Sequence, residues 1–140
     1  MQRILAFDVG DKRIGVAVSD ALGITAQPVE TYHRSGGAQK DAEYLLTLAK
    51  KYAPCMLLFG MPRNMDGSYG EQSEKVKKFA EKVLEGWDGE YAFYDERLTT
   101  MAARRVLLDA DISRGKQKKV IDKLAAVVIL QGYMESHPNR

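Results

Sequence analysis

The chain carries a single cysteine, Cys55, so no internal disulfide is open to it. Cys55 sits inside the apolar run "CMLLF", where it reads as a small buried hydrophobe. Histidine is nearly as scarce: only His33 and His137 occur. One follows an edge-strand pattern and the other lies in the C-terminal tail, so no zinc-ligand spacing exists and no serine or cysteine triad is plausible. No apolar run approaches the roughly 20 residues of a membrane span. The start, "MQRILAFDVG", has too short an apolar stretch for a secretory signal, and a charge interrupts it. Internal repeats, low-complexity tracts and linkers are also missing. The expectation is a cytoplasmic protein with no membrane contact. Nor is there a surplus of charge of either sign: the net value is +2, so any argument about partners rests on local charge.

What the chain does have is apolar content. With 140 residues and 45% hydrophobic side chains, it suits one domain, residues 1–140, with a real core. "RILAFDVG" reads as a strand. "RIGVAVSD" follows a short Gly-Asp-Lys turn and alternates, with Ile14, Val16 and Val18 on one face. "TAQPVETYH" is a third extended piece, and Pro28 within it points to a sheet edge. The period then changes. Ala38, Ala42, Leu45, Leu46, Ala49 and Tyr52 form a helical stripe, and "CMLLFG" reads as a strand buried on both faces. A turn-rich loop, "GMPRNMDGSYG", precedes a helix striped by Val76, Phe79, Ala80, Val83, Leu84 and Trp87. "YAFYDE" is the fifth strand. Thr99 or Thr100 caps a helix holding Ala103, Val106, Leu107 and Ala110. The polar loop "DISRGKQK" leads to a last helix whose middle, "LAAVVIL", is apolar on every side and expected to be buried.

Three strands, helix, strand, helix, strand and two helices combine an antiparallel meander with two strand-helix-strand units, which require parallel pairing. The expected fold is α/β: a five-stranded mixed sheet with helices on both faces. Ligands gather at the carboxyl ends of the parallel strands in such sheets.

Three acids stand out by position. Asp8, in "AFDVG", shares a sheet face with Ile4 and Ala6. Glu96 closes the fifth strand on the face opposite Asp95. Asp122, in "VIDKLAA", precedes Ala125 and Ala126 by one helical turn and Ile129 by two, which turns it toward protein. Parallel first, fourth and fifth strands place Asp8, the Gly60 loop and Glu96 along one edge, and the last helix brings Asp122 there. Carboxylates gathered in a partly buried pocket repel one another unless a cation neutralises them. Oxygen-only ligands suit Mg²⁺ or Mn²⁺. Two such ions about 4 Å apart activate water and stabilise the leaving oxygen in phosphodiester cleavage. Plainer roles stand beside this one. Asp8 could open a turn, Glu96 could be a solvated strand-end charge, and Asp122 could pair with Lys118, an order that suits the helix dipole less than the reverse.

"SRGKQKKVIDK" places Arg114, Lys116, Lys118, Lys119 and Lys123 around the start of a helix, an end already positive. A phosphate there relieves the conflict, whereas a solvated lysine loop needs no ligand. "GDKRIG" and "PRNMDG" add Lys12, Arg13, Arg63 and Asn64 on loops at the same edge. Neither glycine pattern is a Walker or dinucleotide fingerprint.

"DVGDKRIGVAVSD", "GMPRNMDGS", "DERLTT" and "VIDKLAAVVILQGY", in this order over nearly the whole chain, resemble the YqgF family. Its members are known as Holliday-junction resolvases or pre-16S ribosomal RNA nucleases. The resemblance implies an RNase H-like fold, similar to the resolvase RuvC. It implies that Asp8, Glu96 and Asp122 are the catalytic acids and hold the metal, two Mg²⁺ or Mn²⁺ ions. It further implies nucleic-acid contacts from Lys12, Arg13, Arg63, Asn64, Arg97, Arg114, Lys118 and Lys119, the partner being precursor ribosomal RNA or branched DNA. The activity so implied is endonucleolytic, in 5′-end maturation of 16S ribosomal RNA, with four-way DNA resolution as the alternative. A binding module that does not cleave is a rival from another class, against which the retention of all three acids argues. A sugar-kinase-like phosphate fold is another, but it needs two such domains. A monomer or weak homodimer is expected, and a strict monomer favours the RNA reading, since symmetric junction cutting needs two active sites.

Overall fold

The structure is a computed structural model and describes residues 2–62, 70–95 and 114–137, except for the side chains of 114–123. Strands β1 (Arg3–Val9), β2 (Arg13–Ser19) and β3 (Ala26–His33) come first, then helix α1 (Ala38–Lys51), β4 (Cys55–Met61), α2 (Glu71–Leu84), β5 (Tyr91–Asp95) and α3 (Arg114–Ser136). The five strands form one sheet in the order β3-β2-β1-β4-β5. β1, β2 and β3 are antiparallel neighbours, while β4 runs parallel to both β1 and β5.

The side-chain period of two divides the core between the faces. Leu5, Phe7, Val9, Ile14, Val16, Leu57 and Phe59 pack beneath α1 and α2, against Leu45, Ala49, Val76, Phe79 and Val83. Ile4, Ala6, Ala17, Met56 and Leu58 face the other way, against Ala126, Ile129, Leu130 and Tyr133 of α3. β4 is thus apolar on both faces because helices cover both. Pro28 falls in β3, an edge strand with one side left unpaired. Cys55 is buried, and its thiol donates to the Ala49 carbonyl at 3.4 Å.

Two turns join β1, β2 and β3, the first at the carboxyl end of β1 and the second at the opposite end of the sheet. Between β1 and β2, the Gly10 N–H donates to the Arg13 carbonyl at 2.8 Å. A Cβ on Gly10 would stand 2.9 Å from that oxygen, so only glycine closes the turn this tightly. Between β2 and β3, the Asp20 carboxylate accepts the Ile24 N–H at 2.7 Å, and this bond holds its pKa below the usual carboxylate value.

Some elements differ from expectation. α2 ends at Leu84, before Trp87, because the chain turns at Glu85 and Gly86. Trp87 still packs on the core, and its indole N–H donates to the Glu90 carbonyl at 3.0 Å. α3 begins at Arg114, so most of the expected loop "DISRGKQK" is helical. Arg, Lys and Gln are good helix formers, and Gly115 costs little in a first turn, where N–H groups have no intrahelical partner anyway. In the middle of α3, Leu124 and Val128 are only half-buried, since the helix lies on one sheet face and its far side stays partly open. The expected helix around Ala103–Ala110 lies outside the described residues. Among the described residues no helix is long and apolar enough to cross a membrane.

Candidate active site

The register places the carboxyl ends of the parallel strands side by side. Phe7, Phe59 and Phe93 form one row across β1, β4 and β5, with ring centroids 5.5 and 5.7 Å apart. Phe7 and Phe59 are buried on the α1–α2 side just before the strands end, while Phe93 stays partly exposed. Asp8 is the next residue of β1 and turns to the α3 face, which it shares with Ile4 and Ala6 as expected. It is partly exposed at the rim of the core.

The surroundings of Asp8 are set by two glycines. Gly15 of β2 is its antiparallel partner. On the other side, Gly60 is the next residue of β4 after the Phe7–Phe59 pair. Neither puts a side chain on the sheet surface beside Asp8. Beyond Gly60 its register partner is Tyr94, whose ring lies against Gly132 and edge-on to Tyr133 of α3. A carboxylate flanked by glycines, at the carboxyl edge of parallel strands, is suited to an oxygen-preferring divalent cation.

Asp122 falls within α3, one turn before Ala126, which packs with Ile4 and Ala6. Glu96 follows directly on Asp95, the last residue of β5, and is outside the described residues. Among the described residues, no three His, Cys, Asp or Glu side chains are grouped to hold a metal. Of the expected basic contacts, Lys12 and Arg13 lie in and just after the β1–β2 turn, with Lys12 exposed. Arg114, Lys118 and Lys119 fall in the first two turns of α3, not in a loop. Arg63, Asn64 and Arg97 lie outside the described residues.

The sequence reading missed one cluster that supports this edge. Asp41, in the first turn of α1, is buried at 1% exposure. It accepts from Arg34 Nε at 2.8 Å and from the Tyr32 hydroxyl at 2.9 Å. Arg34 Nη1 donates to the Gly10 carbonyl at 2.8 Å, and the Arg34 backbone N–H donates to the Lys12 carbonyl at 2.8 Å. The guanidinium also lies 4.6 Å from the centroid of Phe79. Burial, then the bond to Asp41, pushes the Tyr32 hydroxyl pKa up. One ion pair therefore ties the turn that follows Asp8 to both helices of the opposite layer. Lys75 adds an exposed contact to Asp11 of the same turn, at 3.6 Å. The one available signal was an aspartate next to the buried Ala42 on a helix whose stripe is otherwise apolar.

Residues 2–136 match the family model RuvX, described as Holliday junction resolvase. The chain belongs to the RuvX family. Similar relatives carry the name "Putative pre-16S rRNA nuclease". One, from Desulforamulus reducens, is 53% identical over 134 residues, covering 96% of this chain and 97% of its own. Another, from Clostridioides difficile, is 53% identical over 133 residues, covering 95% and 94%. A third, from Clostridium perfringens, is 50% identical over 133 residues, covering 95% and 96%. Among solved structures, T. thermophilus RuvC in complex with a Holliday junction substrate aligns with a TM-score of 0.61, covering 97% of this chain and 98% of RuvC. At 13% identity that likeness speaks to the fold alone, which is the RNase H-like one this RuvX-family sheet was expected to have.

Proposed function

We propose that this RuvX-family chain is a divalent-metal-dependent nuclease that hydrolyses phosphodiester bonds in 5′-end maturation of pre-16S ribosomal RNA. The observation that carries the reading is Asp8, a carboxylate with glycine on both sides at the carboxyl edge of three parallel strands, on the face covered by α3. Asp8, Glu96 and Asp122 are the acids that would hold two Mg²⁺ or Mn²⁺ ions. Bound there, the ions supply an activated water and charge stabilisation for the leaving oxygen. The protein's own part is to gather the acids, to hold the β1–β2 turn through Arg34, and to bind phosphates. Phosphate binding falls to Lys12, Arg13, Arg63, Asn64, Arg97, Arg114, Lys118 and Lys119. Those of α3 stand at a helix N-terminus, where backbone N–H groups add to the attraction. The relatives' names support ribosomal RNA as substrate and the cytoplasm as the place of action. A monomer or weak homodimer suffices for a single cut in RNA.

Four-way DNA resolution is a second reading, favoured by the family's description. The deciding experiment incubates the protein with 5′-extended precursor 16S RNA and with a four-way DNA junction, in Mg²⁺, in Mn²⁺ and in EDTA, beside Asp8→Asn. The expected result is metal-dependent cleavage of the RNA, lost in Asp8→Asn while binding stays. Junction cleavage alone favours the second reading. Cleavage of neither, with binding retained, makes the chain a binding module.

A further inference from the structure

A pocket of about 500 Å³ opens at the same sheet edge, but on the opposite face from Asp8. Among the described residues it is lined by Met61, Ser73, Glu74, Lys77, Phe93 and Asp95. Met61 and Asp95 are register partners at the ends of β4 and β5, and the α2 residues come from its first two turns. The volume falls in the range of small-ligand sites.

The lining has a definite chemistry. Phe93 is 40% exposed, an unusual state for a phenylalanine, and its ring is held in place by Phe59 at 5.7 Å. With Met61 it makes an apolar wall for a flat ring. Among the described residues its polar rim carries Glu74, Asp95 and Lys77. Glu74, exposed on α2, offers an acceptor to a ligand presenting N–H donors. Ser73 is buried, with its hydroxyl turned back to the Gly70 carbonyl at 2.8 Å, so it closes the floor. Outside the pocket, Lys78 is exposed on α2 and available to a polyanion, beside Lys75 with its exposed contact to Asp11. A ring-binding wall, acceptors at its edge and cations beside it match a nucleotide in a strand, with the base inside and phosphates outside.

We infer that this pocket takes an unpaired nucleobase of the substrate, one bearing an exocyclic amino group. Adenine, cytosine and guanine offer N–H₂ donors to the Glu74 carboxylate, whereas uracil presents carbonyls flanking its one N–H. The inference rests on the nuclease reading for its source of nucleic acid and names the feature of that substrate it would select: a single-stranded segment beside the cut.

The test is a binding measurement in EDTA, so it does not depend on cleavage. Short single-stranded RNAs carrying one 2-aminopurine are titrated with the full chain, and its fluorescence reports stacking. Wild type should quench the probe and prefer oligoadenylate and oligocytidylate over oligouridylate as competitors. Phe93→Leu keeps an apolar side chain on Phe59 and should remove the quench, weakening binding about 5- to 150-fold, the range of one lost stacking contact. Glu74→Gln, on an exposed helical position, should retain the quench and narrow the preference over oligouridylate. Unaltered affinity and quench in Phe93→Leu would overturn the proposal. So would equal competition by all three homopolymers in wild type. Either result leaves metal-dependent cleavage intact if only the pocket assignment fails, whereas loss of the nuclease reading shows as absent cleavage in wild type with the quench unchanged.

Discussion

Asp41→Asn removes one charge from a buried pair and keeps nearly the same shape. In the native chain Asp41 is 1% exposed, and its two oxygens accept from Tyr32 at 2.9 Å and Arg34 at 2.8 Å. The amide can accept only through one oxygen, so one of the two donors loses its acceptor and the guanidinium loses its counter-charge. Removing one partner of a buried pair costs about 3–5 kcal/mol. Arg34 keeps its bond to the Gly10 carbonyl and is 19% exposed, so part of its charge stays solvated. The expected cost is then reduced to about 2–4 kcal/mol. For a domain of this size about 1 kcal/mol moves Tm by roughly 3–5 °C, so Tm should fall by about 6–20 °C. Urea melts should show a lower midpoint at an unchanged m value. Arg34→Met should also destabilise, because it leaves the Asp41 carboxylate buried with only Tyr32. The double variant leaves neither charge unpaired and should recover much of the loss, giving a favourable coupling in the cycle. If Asp41→Asn stays within about 0.5 kcal/mol of wild type, as a surface change does, the pair does not hold the turn after Asp8.

Three further outcomes are expected. Asp122→Asn should melt at the same or a higher temperature in EDTA, since it relieves repulsion among the acids, and should show a smaller upward shift in a Mn²⁺ titration. A loss in EDTA with the full wild-type Mn²⁺ shift would make Asp122 a structural residue. Lys118→Ala with Lys119→Ala should weaken nucleic-acid binding across sequences and flatten its salt dependence by about 0.7–0.9 of a slope unit per lost contact. An unchanged slope would mean that these lysines only face solvent. Tyr44 donates to Glu30, and this bond, followed by burial, pushes its hydroxyl pKa up to about 12. A raised pKa means that its contribution is fully present below about pH 10 and is lost as pH climbs toward 12, so Tyr44→Phe should flatten that alkaline limb in melts taken against pH.

Local periodicity determined a good deal. The alternation of "RIGVAVS", the unbroken "CMLLF" and the stripe from Val76 to Val83 each reflect the geometry of one element against one core face, and each was legible without its neighbours. Asp8 could be assigned to the Ile4–Ala6 face for the same reason, because a period of two leaves no other choice. Helix ends were less legible. Arg114, Lys116, Gln117 and Lys118 are polar but good helix formers, and polarity alone does not separate a loop from a solvated helical turn. Tertiary structure decided what stands beside what. That Gly15 and Gly60 flank Asp8 depends on β1 lying between β2 and β4, and a strand order is a pairing of distant segments that no single segment encodes. An acid in a helix's first turn, as Asp41 is, is favoured by the helix dipole with only water around it. Asp41 is instead closed off with Arg34 and Tyr32, because β3 and the chain after it fold back over the start of α1. The pocket at Phe93 likewise exists only where β4, β5 and α2 meet. Short-range pattern records which way a side chain turns from its own backbone, whereas the partner it meets there is set by chain closure over long separations.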